Sequence, residues 1–336
     1  MTWLAFRRHR TGLIIAFGIT LALGAWMAFV AHGFDTAPEA TYRGVGGYVS
    51  HYKFLYQGPT ILGLPYQADA INFVLLAFPC ALGVLLGVPL VAAELQDRTN
   101  RVAWTQRISR TRWLASKWWV VGLPLVILSA LVALVTQWWS HHVVISGIGL
   151  HLGPVYIGMS SRMQPEMFST TGAVPVAYAL FAFALGAAFG ALVRRVSWAI
   201  VGTVVVYTVV SLVMATTVRP DLAPKTFVDY SATANSTAIL NLPRDGGAPW
   251  YIGDGYRFIP GSIQPAGQSA GEIAKHCDAQ RSEYFSCLGR HHIQIGQFFQ
   301  PASNYWTLQW KESLIYVIAS AFLLLFGLWL VRRWRT

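Results

Sequence analysis

Charge is scarce in this chain: Asp, Glu, Lys and Arg make up 12% of its 336 residues, against 54% hydrophobic residues and a mean hydropathy of +0.45. A single soluble globule cannot hide that much apolar surface, so the chain must place it in lipid. No Gly-Lys dipeptide occurs, which excludes the G-x-x-x-x-G-K-[ST] loop that cradles nucleotide phosphates. The chain therefore cannot hydrolyse ATP by itself. His141-His142, His151 and His291-His292 come without an acid, nucleophile or metal triad at a recognisable spacing, which argues against a membrane-embedded enzyme.

Six apolar runs stand against these absences, at 13 to 31, 70 to 92, 118 to 137, 173 to 193, 197 to 217 and 312 to 331. A hydrocarbon core about 30 Å thick needs about 20 apolar helical residues to cross it. Lipid offers the backbone no water, so each run reads as a helix and the fold class is an all-α polytopic membrane protein. The runs hold no acid, Lys, Arg or His except Glu312, which opens the sixth. Proton- or ion-coupled machines carry ionisable groups at membrane depth. The lack of such groups argues for an apolar or amphipathic cargo. The first run, although preceded by Arg7, Arg8 and Arg10, is long for a cleaved leader and reads as a span.

The charge is one-sided. Alternate connections carry Arg7, Arg8 and Arg10; Arg98, Arg101, Arg107, Arg110, Arg112 and Lys117; Arg194 and Arg195; and Arg332, Arg333 and Arg335. Only Glu94 and Asp97 oppose these fourteen cations, whereas the other face holds eleven basic and twelve acidic residues. Basic residues collect in the cytoplasm, so both termini are expected there, in the plasma membrane. The net charge of +11 is then a mark of topology rather than of nucleic-acid binding. Trp118-Trp119 and Trp138-Trp139 bracket the third run as interfacial anchors.

The chain divides accordingly: 1–217 holds spans one to five with a cytoplasmic amphipathic helix at 94–117, 218–311 is a small extracytoplasmic domain, and 312–336 is the sixth span and tail. Asp245-Gly246-Gly247, Asp254-Gly255 and Pro260-Gly261 predict short elements joined by turns in the domain. Cys277 and Cys287 lie there in an oxidising compartment and are expected to pair as a disulfide. The rival is a metal site drawn from the same cysteines with His276, His291 and His292, whose spacing fits no standard zinc pattern. Cys80 sits in the second span as a packing residue.

Residues 94 to 117 alternate Arg98, Arg101, Arg107, Arg110 and Arg112 with Val102, Trp104, Ile108, Trp113 and Leu114, the composition of a helix lying in the membrane surface. Gly83 and Gly87, and Gly186 and Gly190, are spaced for close helix packing, either within one chain or between two. Pro79, Pro89 and Pro124 predict breaks in the helical ladder.

Several strings resemble the membrane subunit of type-2 ATP-binding-cassette exporters, in particular the permeases common in actinobacteria. They are Trp3-Leu4 with Arg7, Arg8, His9 and Arg10; Glu94, Asp97, Arg98, Thr99, Arg101 and Ala103-Trp104-Thr105-Gln106; and Thr111-Arg112-Trp113-Leu114-Ala115 with Lys117. Further on come Arg162, Pro165 and Phe168; Val174-Pro175-Val176 and Tyr178 to Gly190; and Gln300-Pro301-Ala302-Ser303, Trp306, Gln309-Trp310 and Glu312. Where the family often has an acid and a glycine ahead of the coupling threonine, this chain has Asp97-Arg98-Thr99. The resemblance implies a non-catalytic permease, paired with a second copy and coupled through Glu94, Asp97, Arg98, Thr99, Arg101, Trp104, Arg107, Arg110 and Arg112 to an ATP-binding-cassette subunit. ATP and Mg belong to that partner, and this chain needs no cofactor of its own. A sensor built on the external segment and a polytopic membrane enzyme are the competing readings.

Overall fold

The computed structural model describes residues 2–36, 39–43, 49–53, 64–96, 109–145, 149–152, 155–158, 162–229, 249–262, 264–265, 267–277 and 281–333. Among these, six helices are long and apolar enough to cross a membrane: His9–Gly33, Ala70–Gln96, Thr111–Ser140, Val174–Val193, Val196–Asp221 and Ala302–Arg333. Each contains most or all of one of the six runs expected from hydropathy.

Helix α1 (Thr2–Thr36) leads into the antiparallel hairpin β1 (Glu39–Arg43) and β2 (Val49–Lys53). The second span is α2 (Leu64–Leu82), a π turn at Gly83–Gly87 and α3 (Val88–Gln96). That π turn lies between Pro79 and Pro89, whose missing N–H groups already break the i to i−4 ladder. The third span, α4 (Arg110–Ile145), continues through Pro124. It is capped by Ser109, whose hydroxyl accepts from the Arg112 N–H at 3.3 Å, as an N-cap serine does. One tryptophan of each flanking pair faces outward, Trp119 and Trp138, while Trp139 is buried.

A second hairpin, β3 (Gly149–Leu152) and β4 (Val155–Gly158), precedes the short helix α5 (Pro165–Thr170) and the fourth span α6 (Val174–Val193). Helix α6 is the axis of the bundle and packs against α2, α3 and α4 as well as both later spans. Its side chains explain that position. Ala177, Ala179, Ala182, Ala184, Gly186, Ala187, Ala188, Gly190 and Ala191 are all buried, and small residues let neighbouring backbones approach where lipid supplies no hydrophobic drive.

The fifth span begins as α7 (Val196–Val213) after a two-residue turn and continues through a π turn at Met214–Val218 and a 3-10 turn at Arg219–Asp221. Beyond it lies a three-stranded antiparallel sheet in the order β5 (Thr226–Asp229), β7 (Ile293–Gln300), β6 (Trp250–Phe258). Helices α8 (Ala270–His276) and α9 (Arg281–Arg290) pack on it through Ile273, Ala274, Cys277, Leu288 and Ile293. Cys277 and Cys287 are disulfide-bonded, tying α8 to α9. The sixth span is α10 (Tyr305–Arg333).

Most helices extend past their hydropathy runs, and two of the extensions take in a buried charge or lead up to one. The fifth span runs on to Asp221 instead of stopping at 217, and the sixth helix begins at Tyr305 rather than at 312. Hydropathy stops at a charge. A helix continues past one when the charge is neutralised inside the protein.

Candidate functional site

Two buried ion pairs mark the opposite ends of the bundle. At the arginine-rich end, Glu94 of α3 pairs with Lys117 of α4, and both side chains are almost fully buried. Lys117 also donates to the Leu90 carbonyl at 3.3 Å and lies 3.9 Å from the centre of the Trp113 ring, whose face attracts the cation. The side chain of Gln96, the last residue of α3, accepts from the Val196 N–H at 3.3 Å and so caps the start of α7. Three spans are joined within a few residues of one another.

Between Gln96 and Ser109 runs the middle of the predicted coupling segment. Asp97, Arg98, Thr99, Arg101, Trp104 and Arg107 lie outside the described residues, as does the side chain of Arg110. Arg112 is exposed near the start of α4. Glu94 differs from its sequence expectation in one respect: it faces inward, onto Lys117, rather than onto a partner's surface.

At the sheet-bearing end, Arg219 and Glu312 form a two-pronged pair. Nε donates to Oε2 at 2.8 Å and Nη2 to Oε1 at 3.0 Å, the fork geometry that makes such pairs strong and directional. The guanidinium also reaches the Ser169 hydroxyl and the Tyr178 hydroxyl, each at 2.9 Å, and the Pro165 carbonyl at 3.3 Å. Tyr178 in turn donates to Glu312 at 2.5 Å, and the Phe168 ring covers the guanidinium at 4.6 Å. Both charged residues are 0% exposed. Hydropathy showed only one half of this pair, Glu312 at the opening of the sixth run. Glu312 is two helical turns inside α10, and from there to Arg332 the helix rises about 30 Å, the thickness of a hydrocarbon core. The pair therefore sits at the edge of that core.

The π turn at Met214–Val218 bears on how Arg219 is aimed. One extra residue in a turn rotates the succeeding helix by about 100° relative to a regular one. Gln309, one turn before Glu312, completes the joint. Its Oε1 accepts from the Ala173 and Val174 N–H groups, each at 3.0 Å, and its Nε2 donates to the Phe168 carbonyl at 2.9 Å. One side chain thus satisfies the end of α5 and the start of α6. Gly172 lies between them at φ +71°, where a Cβ would stand 2.7 Å from Gln309 Oε1 and 2.9 Å from the Tyr305 hydroxyl. Only glycine combines that backbone angle with so close an approach. Thr171 and Tyr305 share a hydrogen bond at 2.9 Å, and Arg162 stacks over Tyr305 at 4.7 Å. The sheet is anchored to the same place: Gln300 donates to the Pro220 and Ala223 carbonyls at 3.0 and 2.7 Å, and Lys311 to the Leu222 carbonyl at 2.7 Å.

Most of the strings around residues 162–178 and 300–312 therefore converge here, although they are far apart in the chain. Sequence reasoning missed Arg219. The signal it could have used was placement: Arg219 follows one apolar run and Glu312 opens the next, so a helix end that buries either one calls for the other. Gly83, Gly87, Gly186 and Gly190 meet within this one chain. A Cβ on Gly83 would overlap Ala182, one on Gly87 would stand 2.6 Å from the Phe183 carbonyl oxygen, and ones on Gly186 and Gly190 would stand 3.0 Å from the Gly83 and Val88 carbonyl oxygens. The side chains of His141, His142 and His151 lie outside those described.

Residues 17–219, more than half of the chain, match the family model described as ABC-2 membrane transporter related. No curated protein and no solved structure matches the chain. The matched region ends at Arg219, so Glu312 is supplied from outside it.

Proposed function

The chain belongs to the ABC-2 membrane transporter related family, and on that premise we propose that it is the membrane subunit of an ATP-driven exporter whose ATP is hydrolysed, with Mg, by a separate ATP-binding-cassette subunit. The observation that carries this reading is the closure of the 97–108 segment at its base. Glu94 and Lys117 join the helix entering the segment to the helix leaving it, and Gln96 joins the first of these to α7. A push on the segment is delivered to three packed spans instead of being absorbed by a loose loop. Arg98, Arg101, Trp104, Arg107, Arg110 and Arg112, with Asp97 and Thr99, supply the contact surface, and Glu94 acts behind it.

The arginine-rich end faces the cytoplasm in this reading, and the sheet caps the exit on the other side. The cargo is apolar or amphipathic. The Glu94–Lys117 and Arg219–Glu312 pairs are each neutralised in place and sealed at a bundle end, so neither offers a hydrated path for a small ion. A second copy completes the pathway, meeting this one through lipid-facing surfaces such as those of α1, α7 or α10, because the glycine faces are already used within the chain.

The test is to purify the chain with ATP-binding-cassette subunits from its own genome and compare ATP turnover for wild type and the Trp104→Ala, Arg107→Ala double variant. A stable complex whose turnover falls in the variant is the expected result. If no ATPase subunit binds, the proposed engine is absent and the exporter reading fails. Vesicle transport that favours a small hydrophilic ion would overturn the cargo assignment alone.

A further inference from the structure

We infer that Cys277, Cys287 and His291 form a latent site for a thiophilic transition-metal ion such as Zn2+, shut while the disulfide stands and opened when it is reduced. The inference is independent of the exporter reading and begins from the ligand geometry. The two Sγ atoms and a ring nitrogen of His291 all lie within 4.8 Å of one another. Ligands around tetrahedral zinc stand about 3.5 to 3.8 Å apart, given bonds of about 2.0 to 2.3 Å, so the nitrogen is already near ligand distance. Cys287 and His291 are one helical turn apart at the end of α9, where the His291 N–H donates to the Cys287 carbonyl at 3.2 Å. That spacing sends both side chains from the same face.

Space is the second requirement. The sulfurs must separate to admit an ion, and a cavity of about 240 Å³ adjoins the bridge, bordered by Gln268, Glu272, His276 and His291 as well as the cysteines. His276 offers the fourth position: its Nδ1 is 2.8 Å from the Glu272 carbonyl oxygen, and a histidine held through one ring nitrogen presents the other, Nε2, to an ion. The Glu272 carboxylate is engaged by the Ser269 N–H and hydroxyl and stays out of the ligand set.

The chemistry balances with a dithiol reductant. The reductant gives two electrons and two protons to the Cys277–Cys287 bond and closes to its own disulfide, leaving two thiols. Binding of the ion releases both thiol protons to solvent as two thiolates and an imidazole coordinate it.

The experiment uses the full-length chain in detergent with Cys80→Ser, which removes the third cysteine, and titrates Co2+ before and after reduction. Expected is one equivalent bound only after reduction, with thiolate-to-cobalt charge-transfer absorption, displacement by Zn2+ and at least about tenfold weaker binding in His291→Ala. His292→Ala, outside the cavity lining, is expected to bind as the parent does. Reduced protein that takes up no Co2+, an affinity unchanged in His291→Ala, or equal binding by the oxidised protein would each overturn the site.

Discussion

Arg219 and Glu312, 93 residues apart in the chain, meet in a fully buried two-pronged ion pair that locks the end of the fifth span to the start of the sixth. Tyr178, Ser169 and the Pro165 carbonyl take up further hydrogen bonds, so the fourth span and the short helix before it belong to the same joint.

Breaking that pair from one side leaves a buried charge without its partner. Arg219→Met or Glu312→Leu alone is expected to cost about 3 to 5 kcal/mol and to lower the melting temperature sharply. The double variant is expected to recover much of the loss, because two apolar side chains leave no charge unpaired. Thermal denaturation in detergent followed by size-exclusion fluorescence reads all three. Additive losses in the double variant would show that the two residues act separately.

Close backbone contact between the second and fourth spans predicts an equally specific loss. Gly83→Ala is expected to lower the yield of folded protein, since the added methyl overlaps Ala182 and a packed interior does not absorb it without strain. Gly83→Ala combined with Ala182→Gly is expected to recover little of it, because the Ala182 backbone carbon and oxygen also stand at 2.5 and 2.8 Å from the added methyl. The check is the folded fraction after extraction, and full rescue would mean that only the Ala182 methyl obstructs.

Sidedness can be read by labelling. In a Cys80→Ser background, Arg195→Cys at the α6–α7 turn is expected to react with an impermeant maleimide only after cells are opened. Ser262→Cys, in the turn after β6, is expected to react in intact cells. The reverse pattern would invert the proposed topology.

The start of α8 carries a pH dependence. Ser269 and Glu272 form a capping box, in which serine and glutamate satisfy each other's backbone N–H. The Ser269 N–H, then its hydroxyl, hold the Glu272 carboxyl below its ordinary value of 4.5. A group whose folded value is depressed stabilises the fold above its unfolded value and loses that effect as pH falls through the folded one. Amide exchange in α8, measured by mass spectrometry, is expected to accelerate beyond its intrinsic rate as pH falls below 4.5. In Glu272→Ala that extra acceleration should vanish.

Glu272 also shows how far local sequence reaches. Ser269-x-x-Glu272 is a capping box written in four residues, and the six apolar runs are likewise local: about 20 side chains in a row are enough to require a span. Cys277 and Cys287 were legible as a pair for the same reason, being the two cysteines of one segment. Arg219 was not legible. Its role depends on Glu312 and Tyr178, which are far from it in the chain, and on the π turn just before it, which no local pattern announces.

The sequence by itself determined that this chain lives in a membrane, where its spans lie and which end carries the cations, because each depends on composition summed over neighbouring residues. Tertiary structure alone decided that α6 is the axis, that the glycines of spans two and four serve each other, and that charges at both ends of the bundle are paired in the interior. Those outcomes depend on which helix faces which, and burying a charge is tolerable only where its counter-charge is already waiting.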